Sequence, residues 1–377
     1  MDQEILDKGR GFLRQAGLKG AMLAHPASVI WLTGYAPPIL HGPSPFEGGP
    51  ALLWLDSERV LLLVSDMEQS AAAATGAEVV TYPSYQIESP LRPLVAQADA
   101  LTAMLGTLTV PAHGKIGIES LPLHLGKRLA TKFHSADLVE IDGWTEALRV
   151  VKTAGEIAKI HQACRLCSTA QATLRHAALN GDLRGMTEIA IFDLFLLAME
   201  QQAGERLPVL ADLVAGGRTA GVGGLPTTYT VQAGDPVLAD VVPRLNGYWG
   251  DICNVHFAGE PSADLKRYYV AARNALDAAI SAVRPGVLAN EIDRIAREAI
   301  AKQGYPPYPH HTGHGLGVAY HEEPRICGYN STPLEAGMVI ALEPGVYVEG
   351  VGGVRLEHVM VVTDNGAEIL TNHIMEI

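Results

Sequence analysis

Residues 234–257 read GDPVLADVVPRLNGYWGDICNVHF, two apolar runs on either side of an Asn-Gly pair with one aspartate in each run. Asn-Gly readily adopts the positive φ values that a two-residue hairpin turn requires, so the segment predicts an antiparallel hairpin. With Leu245-Asn246 as the loop, Asp240 stands opposite residue 251; with Asn246-Gly247, it stands opposite residue 253. In both registers Asp240 and Asp251 share one face, because opposed residues point the same way and side chains repeat every second residue. Two carboxylates set among valine, leucine, isoleucine and tryptophan repel one another and lose water. They must protonate, bind a cation or stay exposed.

A second pair lies in GMVIALEPGVYVEGVGGVRLEHVMVVT, residues 337–363. Glu343 ends an apolar strand ahead of Pro344-Gly345, and Glu357 is expected inside another strand, after the glycine-rich turn EGVGG. Arg355, two residues earlier, falls on the same face as Glu357. Carboxylates within strands such as VIALE and VRLEHVMVV need a partner. Between the two pairs stands PHHTGHGLGVAYHEEP, residues 309–324, with four histidines among glycines. Four acids and a histidine cluster in an otherwise hydrophobic half predict a divalent-metal site rich in oxygen ligands. Imidazole with carboxylate suits manganese, iron, cobalt or zinc, and the lack of a thiolate set argues against structural zinc. Four carboxylates exceed what one ion needs, so two ions per chain bridged by shared carboxylates are expected.

The chain has 377 residues, which predicts about two domains. Its first 145 residues or so alternate helical and strand signals: helix DKGRGFLRQAGL, strand GAMLAHP, a hairpin in ALLWLDSERVLLLVS, helix DMEQSAAAATG, strand AEVVTYP, helix LVAQADALTAMLGTL and strand KIGIES. The texture changes at DGWTEALRVVKTAGEIAKIHQA, where Thr153 and Glu156 form a capping-box signature. Helices are predicted over about 153–180, 186–204, 262–284 and 289–303, with antiparallel strand pairs between and after them. The expected organisation is an N-terminal α/β domain over 1–146 and a second domain over 147–377.

Acidic residues number 41 against 28 scattered basic ones, a net charge of −13, which excludes nucleic acid and anionic membrane as expected partners. No signal-peptide pattern opens the chain and no apolar run reaches ~18 residues, so a cytoplasmic protein is expected. Four cysteines are too few for a disulfide scaffold in a chain of this length. Cys164 and Cys167 have CxxC spacing, but they lie in a predicted long helix with no second pair, and read as packed thiols on one helix face.

The segments LADVVPRLNGYWGDI, HHTGHGLGVAYHEEP, ALEPGVYV and GVRLEHVMVV, in this order and spacing, resemble the pita-bread metallopeptidases: Xaa-Pro aminopeptidases, prolidases and, more distantly, methionine aminopeptidase and creatinase. The resemblance covers nearly the whole chain. AHPASVIWLTGY is similar to the family's N-terminal stretch, and EALRVVKTAGEIAKIHQA to the helix that follows it. It implies an α/β (α+β) fold, with a small creatinase-like N-terminal α/β domain ahead of a catalytic pita-bread domain whose curved antiparallel sheet is covered by helices.

The resemblance also implies roles. The metal ligands fall on Asp240, Asp251, His314, Glu343 and Glu357, with Asp251 and Glu357 bridging two ions, Asp240 on one, and His314 with Glu343 on the other. Manganese is the first expectation for the two ions, with cobalt, zinc or iron as alternatives. His321 is the expected catalytic histidine, polarising the scissile carbonyl or stabilising its oxyanion, and His310 an expected substrate contact. A hydroxide bridging the ions would attack an amide carbonyl while Glu343 takes and returns the proton. Arg355 would either orient the Glu357 side of the site or hold a substrate carboxylate. Tyr347 either lines the substrate site or packs within its strand. His311 reads as solvated or as a register alternative, while His41, His113 and His256 have no constellation around them.

Three positions depart from the family pattern. Gly223 stands where a histidine often contacts the leaving proline side, Val242 where glycine is common, and Asn254 where arginine is frequent. These changes are expected to alter the pocket wall and leave the metals untouched. The resulting expectation is a dinuclear-metal hydrolase cleaving Xaa-Pro bonds in small peptides, as a dipeptidase or aminopeptidase. An amide or amidine hydrolase of creatinase type is the alternative, and a metal-free binding module a third, which the intact ligand set argues against. In related proteins the N-terminal domain of one subunit reaches toward the other's active site, so a homodimer is expected, with GPSPFEGGP (residues 42–50) as an exposed loop.

Overall fold

In a computed structural model the chain is described over residues 1–39, 44–109 and 113–377. His41 and the first two residues of the 42–50 segment lie outside the described residues. Contacts divide the chain into two compact units, Met1–Leu148 and Arg149–Ile377.

Among the described residues the first unit is built on six strands: β1 (Leu18–Leu23), β2 (Leu52–Asp56), β3 (Val60–Ser65), β4 (Glu78–Tyr82), β5 (Lys115–Ile118) and β6 (Asp137–Glu140), in the order β4-β3-β2-β1-β5-β6. The expected hairpin is β2–β3, and β4, β5 and β6 join in parallel. The helix Pro26–Thr33 has no counterpart among the sequence expectations. Pro26 opens it, and Gly34, at φ 77, closes it through an N–H that donates to the Ile30 carbonyl. All of Ala27–Thr33 is buried, so the segment has no polar face and no helical period to read. The helix Leu123–Lys132 and strand β6 also go beyond the expectations, and the segment 66–76 forms a short 3₁₀ turn, Asp66–Glu68, followed by one helical turn, Gln69–Ala73.

The second unit opens with the helix Ala154–Leu179, whose N-terminus carries the expected capping box: the Glu156 N–H donates to Thr153 Oγ1 and the Thr153 N–H to Glu156 Oε2. Helices Glu188–Ala203, Ala263–Ala282 and Ala289–Lys302 complete the expected four. The strands are β7 (Val209–Ala215), β8 (Pro236–Leu245), β9 (Tyr248–Trp249), β10 (Cys253–Phe257), β11 (Gly313–Gly315), β12 (Glu322–Ile326), β13 (Val339–Leu342), β14 (Gly345–Val348), β15 (Gly352–Arg355), β16 (His358–Val362) and β17 (Ala367–Ile369). They form a sheet β10-β8-β7 with β9 on β8, a sheet β12-β11-β13-β16-β17, and the ribbon β14–β15, all antiparallel.

Strand β8 divides the core. Val237, Ala239 and Val241 join the cluster under helices 154–179 and 188–203, and Leu238 joins the one under helices 263–282 and 289–302. Period-two alternation places Asp240 on the Leu238 face. The turn is Asn246-Gly247, at φ 51 and 83, and Asp240 pairs with Cys253, the second of the two expected registers. Contrary to expectation, Glu357 does not sit inside a continuous strand: Leu356 and Glu357 form a break between β15 and β16, as Glu343 and Pro344 do between β13 and β14. The chain leaves the five-stranded sheet for the β14–β15 ribbon at these two points. Backbone groups at the breaks bond across elements, Glu343 N–H to Thr312 O and Glu357 N–H to Cys253 O.

Candidate metal centre

A pocket of about 410 Å³ in the second unit is lined by Asp240, Asp251, His314, Glu343 and Glu357 together with His310, His311, His321 and Arg355. Strand β8 and the turn after β9 bring the two aspartates, β11 brings His314, and the two strand breaks bring the glutamates. Ligand atoms of Asp251, His314 and Glu357 all lie within 4.8 Å of one another. His314 Nε2 is 3.6 Å from Asp251 Oδ2 and 3.7 Å from Glu343 Oε1. Its Nδ1 donates to the Gly315 carbonyl at 3.0 Å, which leaves the Nε2 lone pair facing the acids.

The acids have fewer donors than oxygens to satisfy. Asp240 Oδ1 and both Glu357 carboxylate oxygens are buried without a hydrogen-bond partner. Burial pushes the Asp251 and Glu357 carboxyls well above the usual range, and the neighbouring acids push them further. Asp240 is pushed up to about 6 by burial, against the pull of Arg355. Burial pushes Glu343 up too, but the hydrogen bond from His311 and the charge of Arg355 outweigh it and hold it at about 2. Burial lowers His314 to about 3 and His321 to about 4, so both rings are neutral and able to ligate. Four carboxylates against one guanidinium make an uncompensated set, and orphaned oxygens around one imidazole are the donor set that divalent cations take. The residues present fit a metal centre.

Arg355 is the hub of one wall. Its Nη2 donates to Asp240 Oδ2 at 2.6 Å and to Asp212 Oδ2 at 3.3 Å, and its Nη1 donates to the Val222 carbonyl at 2.6 Å and the Tyr347 hydroxyl at 3.4 Å. The guanidinium thus contacts the Asp240 side of the site and not the expected Glu357 side. Tyr347 donates to His310 Nε2 at 2.9 Å, because His310 Nδ1–H is directed at the His311 carbonyl. Arg297 donates to the His310 carbonyl at 2.6 Å and holds this loop in place.

His311 is not a freely solvated side chain: its Nε2 lies 3.0 Å from Glu343 Oε1. His321 lies against His314, ring centroids 3.9 Å apart and planes tilted by 47°. The residue after it, Glu322, is bound by Arg149 at 3.2 Å and Lys152 at 3.1 Å, all three side chains nearly fully buried. Asp212, the Cα partner of Asp240 across β7–β8, also lines the pocket. Its placement depends on a strand pairing that no local pattern encodes. Of the three departures from the family pattern, Val242 lines the pocket and Gly223 follows the lining residue Val222, but Asn254 is not part of that wall. It points to the opposite face of β10, where it accepts from Tyr269 and donates to the Ile374 carbonyl. His256 is a core residue bonded to Gln171, and Cys164 and Cys167 are buried free thiols on their helix.

Residues 158–364 match Metallopeptidase family M24, and residues 6–151 match the Creatinase/Prolidase N-terminal domain. The chain belongs to metallopeptidase family M24. Among M24-type relatives, an Xaa-Pro dipeptidase of Pyrococcus furiosus is 29% identical over 372 residues, 98% of each chain. An Xaa-Pro dipeptidase of Pyrococcus horikoshii is 33% identical over 259 residues, 68% of this chain and 72% of that one. The crystal structure of an X-Pro aminopeptidase from Thermotoga maritima superposes with a TM-score of 0.82 at 26% identity, covering 99% of this chain and 98% of that one. This M24 chain is a metallopeptidase, an enzyme of the hydrolase class, with the creatinase-like N-terminal domain and pita-bread domain expected from its motifs. No helix among the described residues is long and apolar enough to cross a membrane.

Proposed function

We propose that this M24 chain cleaves Xaa-Pro bonds in small peptides with two divalent ions, manganese first among them, held by Asp240, Asp251, His314, Glu343 and Glu357. One observation carries the reading: Asp251 and Glu357, from two separate stretches of chain, converge on the His314 imidazole, and Asp240 Oδ1 and both Glu357 oxygens are left without a hydrogen-bond partner. Asp251 and Glu357 would be shared between the ions, while Asp240 would serve one and His314 with Glu343 the other. Bound ions supply Lewis-acid polarisation of the amide carbonyl and make water acidic enough to ionise near neutral pH.

The chain's own groups do the rest. Glu343, ionised, accepts a proton at its carboxylate and returns it to the leaving nitrogen. Neutral His321, tilted against His314, donates toward the oxygen that gains charge as the amide becomes tetrahedral. Arg355 fixes Asp240, and His310, bonded by the Tyr347 hydroxyl, lines the pocket on the substrate side. Residues 1–146 form the N-terminal domain and 147–377 the catalytic domain, and the working unit is a cytoplasmic homodimer. The names of the relatives support the Xaa-Pro preference over a creatinase-type substrate.

Metal analysis of the purified protein, with rates on Xaa-Pro dipeptides, longer Xaa-Pro peptides and non-peptide amides, tests the reading. About two ions per chain and turnover confined to Xaa-Pro substrates are expected. Turnover of non-peptide amides alone would replace it with the creatinase-type reading.

A further inference from the structure

One carboxylate in the pocket is outside the proposed ligand set. Asp212 on β7 is the Cα partner of Asp240 on β8, so it stands one strand, ~4.8 Å, from a residue of that set. Its carboxylate is held from two sides, by the Gly224 N–H on Oδ1 at 2.9 Å and by Arg355 Nη2 on Oδ2 at 3.3 Å. The turn over it is built to admit it. Val222 adopts φ 76 and ψ −47, a conformation that β-branched residues rarely take, and its carbonyl is bound by Arg355. A Cβ on Gly223 would overlap the Asp212 carboxylate, so glycine there leaves the space this acid fills.

Its charge is not cancelled. Arg355 sits closer to Asp240 than to Asp212 and also lies 3.6 Å from Glu343, so one guanidinium serves three acids. The Asp212 side chain is 42% exposed against 14% for Asp240. Leu210, Val222, Leu225, Val242 and Tyr320 line the pocket with it. Apolar walls with one open carboxylate suit an alkyl stem that ends in a cation.

We propose that Asp212 is a specificity-determining residue, which selects substrates whose residue beside the scissile bond carries an ammonium or guanidinium side chain. The proposal rests on the Xaa-Pro reading for its substrates and adds to it a preference for the cationic Xaa. A charge-assisted hydrogen bond at a partly enclosed carboxylate predicts discrimination of roughly tenfold or more.

The test uses the full-length, metal-loaded enzyme with Arg-Pro and citrulline-Pro, which have nearly the same shape and differ in charge. Wild type should favour Arg-Pro about tenfold in kcat/KM, mainly through KM, and the preference should shrink as salt rises. In Asp212→Asn, which keeps an acceptor for Gly224, the ratio should fall toward one. A wild-type ratio near one, or a ratio unchanged in Asp212→Asn, overturns the proposal. If Asp212→Asn loses metal or fold, Asp212→Ser is read on the same pair. If wild type cleaves neither dipeptide, the Xaa-Pro reading fails, and calorimetry of argininamide against citrullinamide still decides on Asp212: tighter argininamide binding lost in the variant supports it, and equal binding overturns it.

Discussion

The backbone N–H of Glu357 donates to the carbonyl of Cys253 at 3.0 Å. This bond fastens the break between β15 and β16 to the start of β10, two residues beyond Asp251, and so brings two buried carboxylates together. Burial pushes both toward the protonated form, and the charges of Asp240 and Glu343 add to it at each. A bound cation relieves that repulsion, and the consequences can be measured.

Asp251→Asn and His314→Ala should each lower the metal content of the purified protein below about two ions per chain, measured by elemental analysis. Chelation of the wild type should lower its thermal midpoint, because a ligand that binds only the folded state stabilises it. Full metal retention in both variants removes the ligand assignment.

His321→Ala should keep both ions and the fold while kcat falls by roughly 10²–10³, the usual cost of losing a donor to a developing oxyanion. His310→Ala should act more on KM, since His310 lines the pocket beside the centre. Loss of metal in His321→Ala would instead make His321 a ligand or the support of one.

Glu322→Gln should destabilise the fold by about 3–5 kcal/mol, because it removes the carboxylate shared by buried Arg149 and Lys152. Urea denaturation reads the change. Because Glu322 directly follows His321, kcat should fall with it, and Lys152→Met combined with Glu322→Gln should recover part of the stability.

Burial lowers the His256 imidazole to about 4, against an ordinary value of 6.5. Below pH 6.5 the unfolded chain takes up a proton there that the folded chain refuses. Stability is therefore full above that pH and is lost as pH falls toward 4, by on the order of 3 kcal/mol from this group. In His256→Gln the acid limb of a urea-stability profile should be shallower between those values. An identical limb in both proteins contradicts the assignment.

Much of the site could be read before any fold was known, because its signals are local. Asn246-Gly247 announces a hairpin, Thr153 and Glu156 announce a helix start, and charged residues stranded in VLADVV or VIALEP announce a missing partner. The helix Pro26–Thr33 could not be read, since burial on every side erases the period that marks a helix.

By itself the sequence determined the family, the apolar strands, the turn and the acids and histidines among them, because propensity, alternation and charge act over a few residues. Tertiary structure alone decided which of two hairpin registers forms, that Glu357 sits in a break, that His311 meets Glu343, that Asn254 points away from the pocket, and that Asp212 faces Asp240. These are pairings between segments distant along the chain. Their energies come from sheet register, burial and shared charge, which exist only once the strands are side by side.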